Sequence, residues 1–139
     1  MNILLDTNVV SEAMRKQPSA RVLGWIAAQV EESLFISAIT IGELRRGSLV
    51  LADGKRRKAL LQWIETGIKA EFAGRILPVD IAVMERWADL QAATAKSGRA
   101  LPVMDSLLAA TALAHGLTLA TRNIADFEAA GVALLNPWR

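Results

Sequence analysis

The chain has 139 residues, a hydrophobic share of 53% and a formal net charge of +2. This length suits one domain, predicted to span residues 1–139, and the composition excludes an intrinsically disordered chain. The absence of cysteine excludes disulfide bonds, thiolate zinc sites and cysteine nucleophiles. The net charge is too small to indicate a nucleic-acid binder by itself, so the distribution of the charged residues must be considered.

Neither the amino terminus nor the longest uncharged stretch has the features of a membrane segment. No basic residues precede the first apolar run, and Asp6 interrupts it, so no signal peptide is predicted. The stretch from Ser106 to Thr121 is uncharged but shorter than the roughly 20 residues that span a bilayer. We therefore expect a soluble, cytoplasmic protein with no membrane partner.

Short apolar runs alternate with segments of helical periodicity along the whole chain. In chain order, the pattern predicts a strand at 3–5, helices at about 9–14 and 19–30, a strand at 34–37, helices at about 41–51 and 55–72, a strand at 75–79, helices at about 80–96 and 104–115, a strand at 117–120, a short helix at 124–130 and a strand at 132–135. Apolar strands separated by helices are usually parallel and covered on both faces. The predicted fold is therefore α/β, a three-layer α/β/α sandwich around a central parallel sheet of about five strands.

Four acidic residues fall where such a sheet binds ligands, outside the carboxyl ends of its strands. Asp6 closes the first strand, Glu43 lies just beyond the second, Asp105 opens the helix that leads into the fourth, and Asp126 follows the fourth. Carboxylates suit hard cations such as Mg²⁺ and Mn²⁺. Two such ions can hold the attacking and leaving oxygens of a phosphoryl displacement. The hypothesis is therefore a metal-dependent phosphodiester hydrolase.

Each acid also has a purely structural interpretation. Asp6 suits a helix cap, Asp105 suits the first turn of a helix, and Asp126 follows Asn123 at the spacing of a capping-box variant. Glu43 could be a solvated helix residue, although it lies among apolar neighbours. The functional interpretation depends on all four acids meeting at one edge of the sheet.

The order of these motifs resembles that of a PIN-domain ribonuclease. The motifs are Leu-Leu-Asp6-Thr7-Asn8, the segment from Ser37 to Leu44, Asp105 before Ser-Leu-Leu-Ala-Ala-Thr-Ala, the segment from Thr121 to Phe127, and a closing Leu-Leu-Asn-Pro-Trp. Together they are most similar to the VapC toxins of toxin–antitoxin pairs, in the FitB-like branch. The resemblance covers nearly the whole chain.

The resemblance implies specific roles for the matched residues. Asp6, Glu43 and Asp105 match the metal-binding acids of the family, and we assign the fourth acid to Asp126, with Asn123 as the alternative position. Supporting polar groups around the metal and the phosphate would come from four residues: Asn8, Ser37, Thr121 and Asn123.

The resemblance also implies an activity and partners. Members of the family are endoribonucleases that depend on Mg²⁺ or Mn²⁺, and many cut structured RNA such as tRNA or rRNA and arrest translation. A small VapB-type antitoxin occupies the active-site groove and, together with the toxin, binds operator DNA. Homodimers are usual.

A basic cluster lies close to Glu43 in the sequence. Between Leu44 and Lys58 there are six basic residues and one acid. Arg45 and Arg46 lie within one helical turn of Glu43, and we expect at least one of them to contact RNA phosphates or the antitoxin. The alternative is a solvated helix surface.

Two other functions are compatible with parts of the pattern. A phosphotransferase of the haloacid-dehalogenase type also begins with a strand and an aspartate, but it requires a second aspartate where this chain has Asn8. A non-catalytic PIN-like interaction module is the other alternative, and the presence of all four acids argues against it.

Overall fold

The computed structural model describes residues 1–139 and contains a five-stranded parallel sheet. The strands are β1 (Ile3–Leu5), β2 (Leu34–Ser37), β3 (Ile76–Leu77), β4 (Thr118–Ala120) and β5 (Leu134–Leu135), in the spatial order β3-β2-β1-β4-β5. This confirms the predicted α/β fold, although β3 and β5 are shorter than expected.

Helices connect all of the strands. The α-helices are α1 (Thr7–Ser11), α2 (Ala20–Ala28), α3 (Ala38–Leu49), α4 (Lys55–Gln62), α5 (Lys69–Glu71), α6 (Ile81–Ser97), α7 (Val103–His115) and α8 (Ile124–Phe127), and short 3₁₀ turns cover Glu12–Met14, Glu31–Ser33 and Glu128–Ala130. No helix has the length and apolar character needed to cross a membrane.

Side chains of β1 alternate between two hydrophobic cores, as the pleat of a strand requires. Ile3 and Leu5 belong to a core formed with α1, α2, α3 and the segment after α4. Leu4 belongs to the opposite core, formed with α6, α7 and α8. The sheet is therefore covered on both faces, which makes the three predicted layers.

Polar residues at the strand ends start the following helices earlier than predicted. Asp6 caps α1 through a hydrogen bond from the backbone N–H of Thr7 to its carboxylate, so this helix begins two residues before the predicted start. Ser37 caps α3 by accepting from the backbone N–H of Ile39, three residues before the predicted start. Both caps place the first helical turn directly at the carboxyl edge of the sheet.

The predicted helix at 55–72 is divided into three parts. α4 ends at Gln62, a π-helical segment covers Trp63–Ile68, and α5 follows. The indole ring of Trp63 folds back over Gly67, where an added Cβ would lie 3.0 Å from its Cδ1 atom. The glycine thus leaves room for the ring beside the wider helical turn.

Candidate active site at the carboxyl edge of the sheet

The order of the strands predicts where a ligand binds. From β1 the chain adds β2 and β3 on one side and β4 and β5 on the other. The crevice of an open α/β sheet lies at such a reversal, between the carboxyl ends of the two central strands. Here these are β1 and β4, and the residues that follow them are Asp6 and Thr121.

Asp6 is the most buried acid of the candidate site, with an exposed fraction of 7%. Its Oδ1 accepts a hydrogen bond of 2.7 Å from the backbone N–H of Thr7. Its Oδ2 accepts from the hydroxyl of Thr121 at 2.7 Å and from the side-chain amide of Asn8 at 3.3 Å. These donors fix the orientation of the carboxylate, so Asp6 is both a helix cap and the centre of the polar cluster.

The proposed supporting residues make different contacts. Thr121 is fully buried, and its Oγ1 also accepts a hydrogen bond from the backbone N–H of Asn123. Asn8 Oδ1 accepts from the backbone N–H of Arg122. Ser37 uses its hydroxyl to cap α3, and the Asn123 side chain makes no capping hydrogen bond. Thr121 and Asn8 therefore contact Asp6, whereas Ser37 positions the helix that carries Glu43.

Glu43 reaches the same edge of the sheet from α3. Its Oε1 accepts a hydrogen bond of 2.7 Å from the hydroxyl of Thr7, and the Thr7 hydroxyl lies 3.1 Å from that of the buried Thr40. Sequence reasoning did not identify Thr7 or Thr40 as functional residues. The only sequence signal was the position of Thr7 directly after Asp6, because its partners lie 33 and 36 residues away.

Asp105 and Asp126 line a cleft of about 530 Å³ beside this cluster. Asp105 lies in the first turn of α7, and Asp126 lies in the first turn of α8. Neither carboxylate caps its helix, since no side-chain capping bond is formed at the start of α7 or α8. Arg99 and Glu128 also line this cleft. We call it the acidic cleft.

Electrostatic repulsion couples the four predicted acids. Burial raises the pKa of Asp6, hydrogen bonds from Thr121 and Thr7 lower it, and the carboxylates of Glu43 and Asp105 raise it further. Burial also raises the pKa of Asp105, with added repulsion from Glu43 and Asp126. Asp126 is exposed, and its charge raises the pKa of Asp105 but does not contribute to the shift of Asp6. It is therefore the outermost member of the set.

The chemistry of this donor set fits a hard divalent cation. The groups are carboxylates, the ligands that Mg²⁺ and Mn²⁺ prefer. The carboxylates of Asp105 and Asp126 make no hydrogen bond to the protein, and Glu43 uses only Oε1. No three acidic or histidine side chains converge closely enough to chelate one ion directly.

The repulsion has a measurable effect on stability. An acid whose pKa is raised by folding favours the folded state below its ordinary pKa, and that contribution is lost as the pH rises through the folded pKa. We therefore expect Asp105→Asn to raise the Tm of the metal-free protein at pH 7, and the increase to vanish below about pH 4. Differential scanning fluorimetry in EDTA measures the Tm of both proteins at each pH.

Asp89→Asn is the matched control for this prediction, since Asp89 is an exposed acid on α6 outside the cluster. An equal increase in Tm for both variants would show that a change in overall charge is the cause. Added Mg²⁺ should raise the Tm of the unsubstituted protein more than it raises the Tm of the Asp105→Asn variant, because the variant lacks one negative ligand.

The predicted basic contacts lie on the same helix as Glu43. Arg45 and Arg46 are exposed on α3 and form no hydrogen bond or ion pair through their side chains. Arg45 acts electrostatically on Glu65 in the π-helical segment, where it contributes to lowering the pKa of that acid. Their role in RNA or antitoxin contact stays a prediction.

Comparisons with known proteins agree with the fold and the motif order. The PIN-domain family model matches residues 3–132. The VapC ribonuclease Y4jK of Sinorhizobium fredii is 45% identical over 136 residues, covering 98% of this chain and 97% of its own. Toxin FitB of Neisseria gonorrhoeae is 44% identical, covering 98% of each chain.

Solved structures give the same assignment. The crystal structure of FitAcB from Neisseria gonorrhoeae matches with a TM-score of 0.94 and 44% identity, covering 99% of both chains. A structure of FitAB bound to an IR36 DNA fragment matches with a TM-score of 0.93 and 42% identity, covering 99% of this chain and 96% of that one. The expected resemblance is confirmed, and the haloacid-dehalogenase alternative is set aside. The chain belongs to the PIN-domain family, in the branch of the VapC ribonucleases and FitB toxins.

Proposed function

We propose that this chain is an endoribonuclease that requires Mg²⁺ or Mn²⁺ and acts as the toxin of a toxin–antitoxin pair. The observation that carries the proposal is the placement of four acids at the carboxyl edge of the sheet, where Thr7 joins Asp6 to Glu43 and one cleft holds Asp105 and Asp126. The names of its relatives, a VapC ribonuclease and a toxin, support the same activity.

Carboxylates of this set would hold the cation, together with the water ligands that Mg²⁺ usually keeps. When bound, a divalent ion supplies Lewis acidity to the scissile phosphate and lowers the pKa of a water molecule. Thr121 and Asn8 hold the Asp6 carboxylate in one orientation, and Thr7 does the same for Glu43. The negative charge of the four acids repels the RNA backbone until a cation neutralises it, so binding of substrate and metal are coupled.

The partners follow from the same family. We propose a small VapB-type antitoxin that covers the site, and operator DNA that is bound only through that complex. The support comes from the related solved structures, which are FitAB assemblies and include one with DNA. We also propose a homodimer, and activity in the cytoplasm, where RNA such as tRNA and rRNA is available.

A nuclease assay on antitoxin-free protein tests the proposal. Total tRNA and rRNA are incubated with the protein in Mg²⁺, Mn²⁺ or EDTA. We expect discrete cuts in either metal and none in EDTA. If calorimetry detects no binding of Mg²⁺ or Mn²⁺ and no RNA is cut, the non-catalytic interaction module becomes the better explanation.

A further inference from the structure

A second cavity, of about 330 Å³, is lined by Glu43 of the candidate site and shares no lining residue with the acidic cleft. Glu43 and Thr7, which are hydrogen-bonded to each other, form its boundary with the acids. Its other walls include Arg15, Arg56 and Trp63. We call this cavity the arginine pocket. Its volume lies within the range of sites that bind small ligands.

Both arginines of the pocket are anchored by the protein. The Nη2 atom of Arg56 donates a hydrogen bond of 2.7 Å to the backbone carbonyl of Met14, which ties α4 to the turn after α1. Arg15 pairs at 3.5 Å with Glu12, whose side chain is only 3% exposed and also accepts from the backbone N–H of Ser19. Arg56 is thus held in the cavity that Glu43 lines by a residue 42 positions away, and Arg15 is held there by the local pair with Glu12.

The anchoring leaves most of the donors free. A guanidinium group has five N–H donors, and each arginine uses only one of its terminal nitrogens within the protein. Arg15 remains 57% exposed despite its pair with Glu12. Free guanidinium donors held at a fixed position suit phosphate oxygens, which they bind through charge-assisted hydrogen bonds.

An aromatic wall completes the pocket. Trp63 is half-buried, packs against the core and lies over Gly67 at the start of the π-helical segment. Indole rings provide stacking surfaces for unpaired bases. Phosphate-binding guanidinium groups beside an indole ring are the combination that binds a nucleotide of single-stranded RNA.

We propose that the arginine pocket binds the RNA nucleotide adjacent to the scissile phosphate, with Arg15 and Arg56 on the phosphate and Trp63 against the base. This inference rests on the proposed endoribonuclease function, because the pocket is defined by its contact with Glu43. It assigns substrate positioning to residues outside the four acids and outside Arg45 and Arg46.

The test measures RNA binding without cleavage. Antitoxin-free protein carrying Asp6→Asn is titrated with a short fluorescein-labelled single-stranded RNA of mixed sequence, in Mg²⁺ and at several salt concentrations. Adding Arg15→Gln and Arg56→Gln should weaken binding about tenfold at low salt. It should also reduce the slope of log K against log salt by about 1.4, since each contact with a single-stranded phosphate contributes about 0.7.

Trp63→Leu gives an independent readout. Loss of base stacking should weaken binding by about tenfold and leave the salt slope unchanged, because no phosphate contact is removed. Trp25→Leu is the matched control, since Trp25 packs against the same core but does not line the pocket. Melting curves identify any variant that is not folded, and Arg56→Gln alone tests the pocket through an exposed residue.

Arg86→Gln is the control for charge, because Arg86 is an exposed arginine on α6 that lines none of the cavities. Equal losses in Arg86→Gln and Arg56→Gln would overturn the proposal, as would unchanged RNA binding accompanied by weaker antitoxin binding. Failure of the proposed function is observed separately, as the absence of cleavage by the unsubstituted protein.

Discussion

Asp6→Asn is expected to reduce RNA cleavage by at least about a thousandfold and to leave the protein folded. The lost activity corresponds to several kcal/mol of charge stabilisation at the metal site, at about 1.4 kcal/mol for each factor of ten. The fold is retained because asparagine is as good a helix cap as aspartate and can still accept from the backbone N–H of Thr7. The measurement is the rate of tRNA or rRNA cleavage in saturating Mg²⁺.

The stability of the same variant separates loss of chemistry from loss of structure. Burial raises the pKa of Asp6, so removing its charge should maintain or increase the Tm in EDTA. Isothermal titration calorimetry should show weaker Mg²⁺ binding. Cleavage at the unsubstituted rate in titrated Mg²⁺ would contradict the metal-site model, and a large fall in Tm would indicate a structural cause.

The edge of the sheet where the site lies was predictable from sequence. Apolar strands end at Asp6 and Ser37, and parallel strands bring their carboxyl ends to one edge. A cap by Asp6 was one of the two interpretations that the sequence left open, and the cap by Ser37 was not predicted; α1 and α3 both begin earlier than expected. The predicted start of α6 agrees with the structure, where Asp80 Oδ1 caps the helix by accepting from the backbone N–H of Val83.

The connections within the site were not predictable, because they join residues that are far apart in the chain. Thr121 bonds to Asp6 across 115 positions, and Arg56 bonds to Met14 across 42 positions. Local patterns contain no information on such pairs. The π-helical segment at Trp63 was also missed, because its apolar residues fit the spacing of a regular helix.

Thr121→Val is expected to lower cleavage by roughly 10- to 100-fold, the range typical for residues that orient metal ligands. The hydroxyl is fully buried and donates to Asp6 Oδ2 at 2.7 Å, so valine removes the shortest hydrogen bond to that oxygen. It also leaves the backbone N–H of Asn123 without its acceptor. Loss of these partners should reduce the free energy of unfolding by about 1–3 kcal/mol.

The pH profile of Thr121→Val distinguishes a positioning role from a merely structural one. The hydrogen bond from Thr121 lowers the pKa of Asp6, so its removal should move the acidic limb of the cleavage profile to higher pH. Thr121→Ser keeps the hydroxyl and should restore both the rate and the profile. If Thr121→Val is slower by the same factor at every pH, the ionisation of Asp6 is unaffected by the substitution. That result would indicate that Thr121 acts through stability alone.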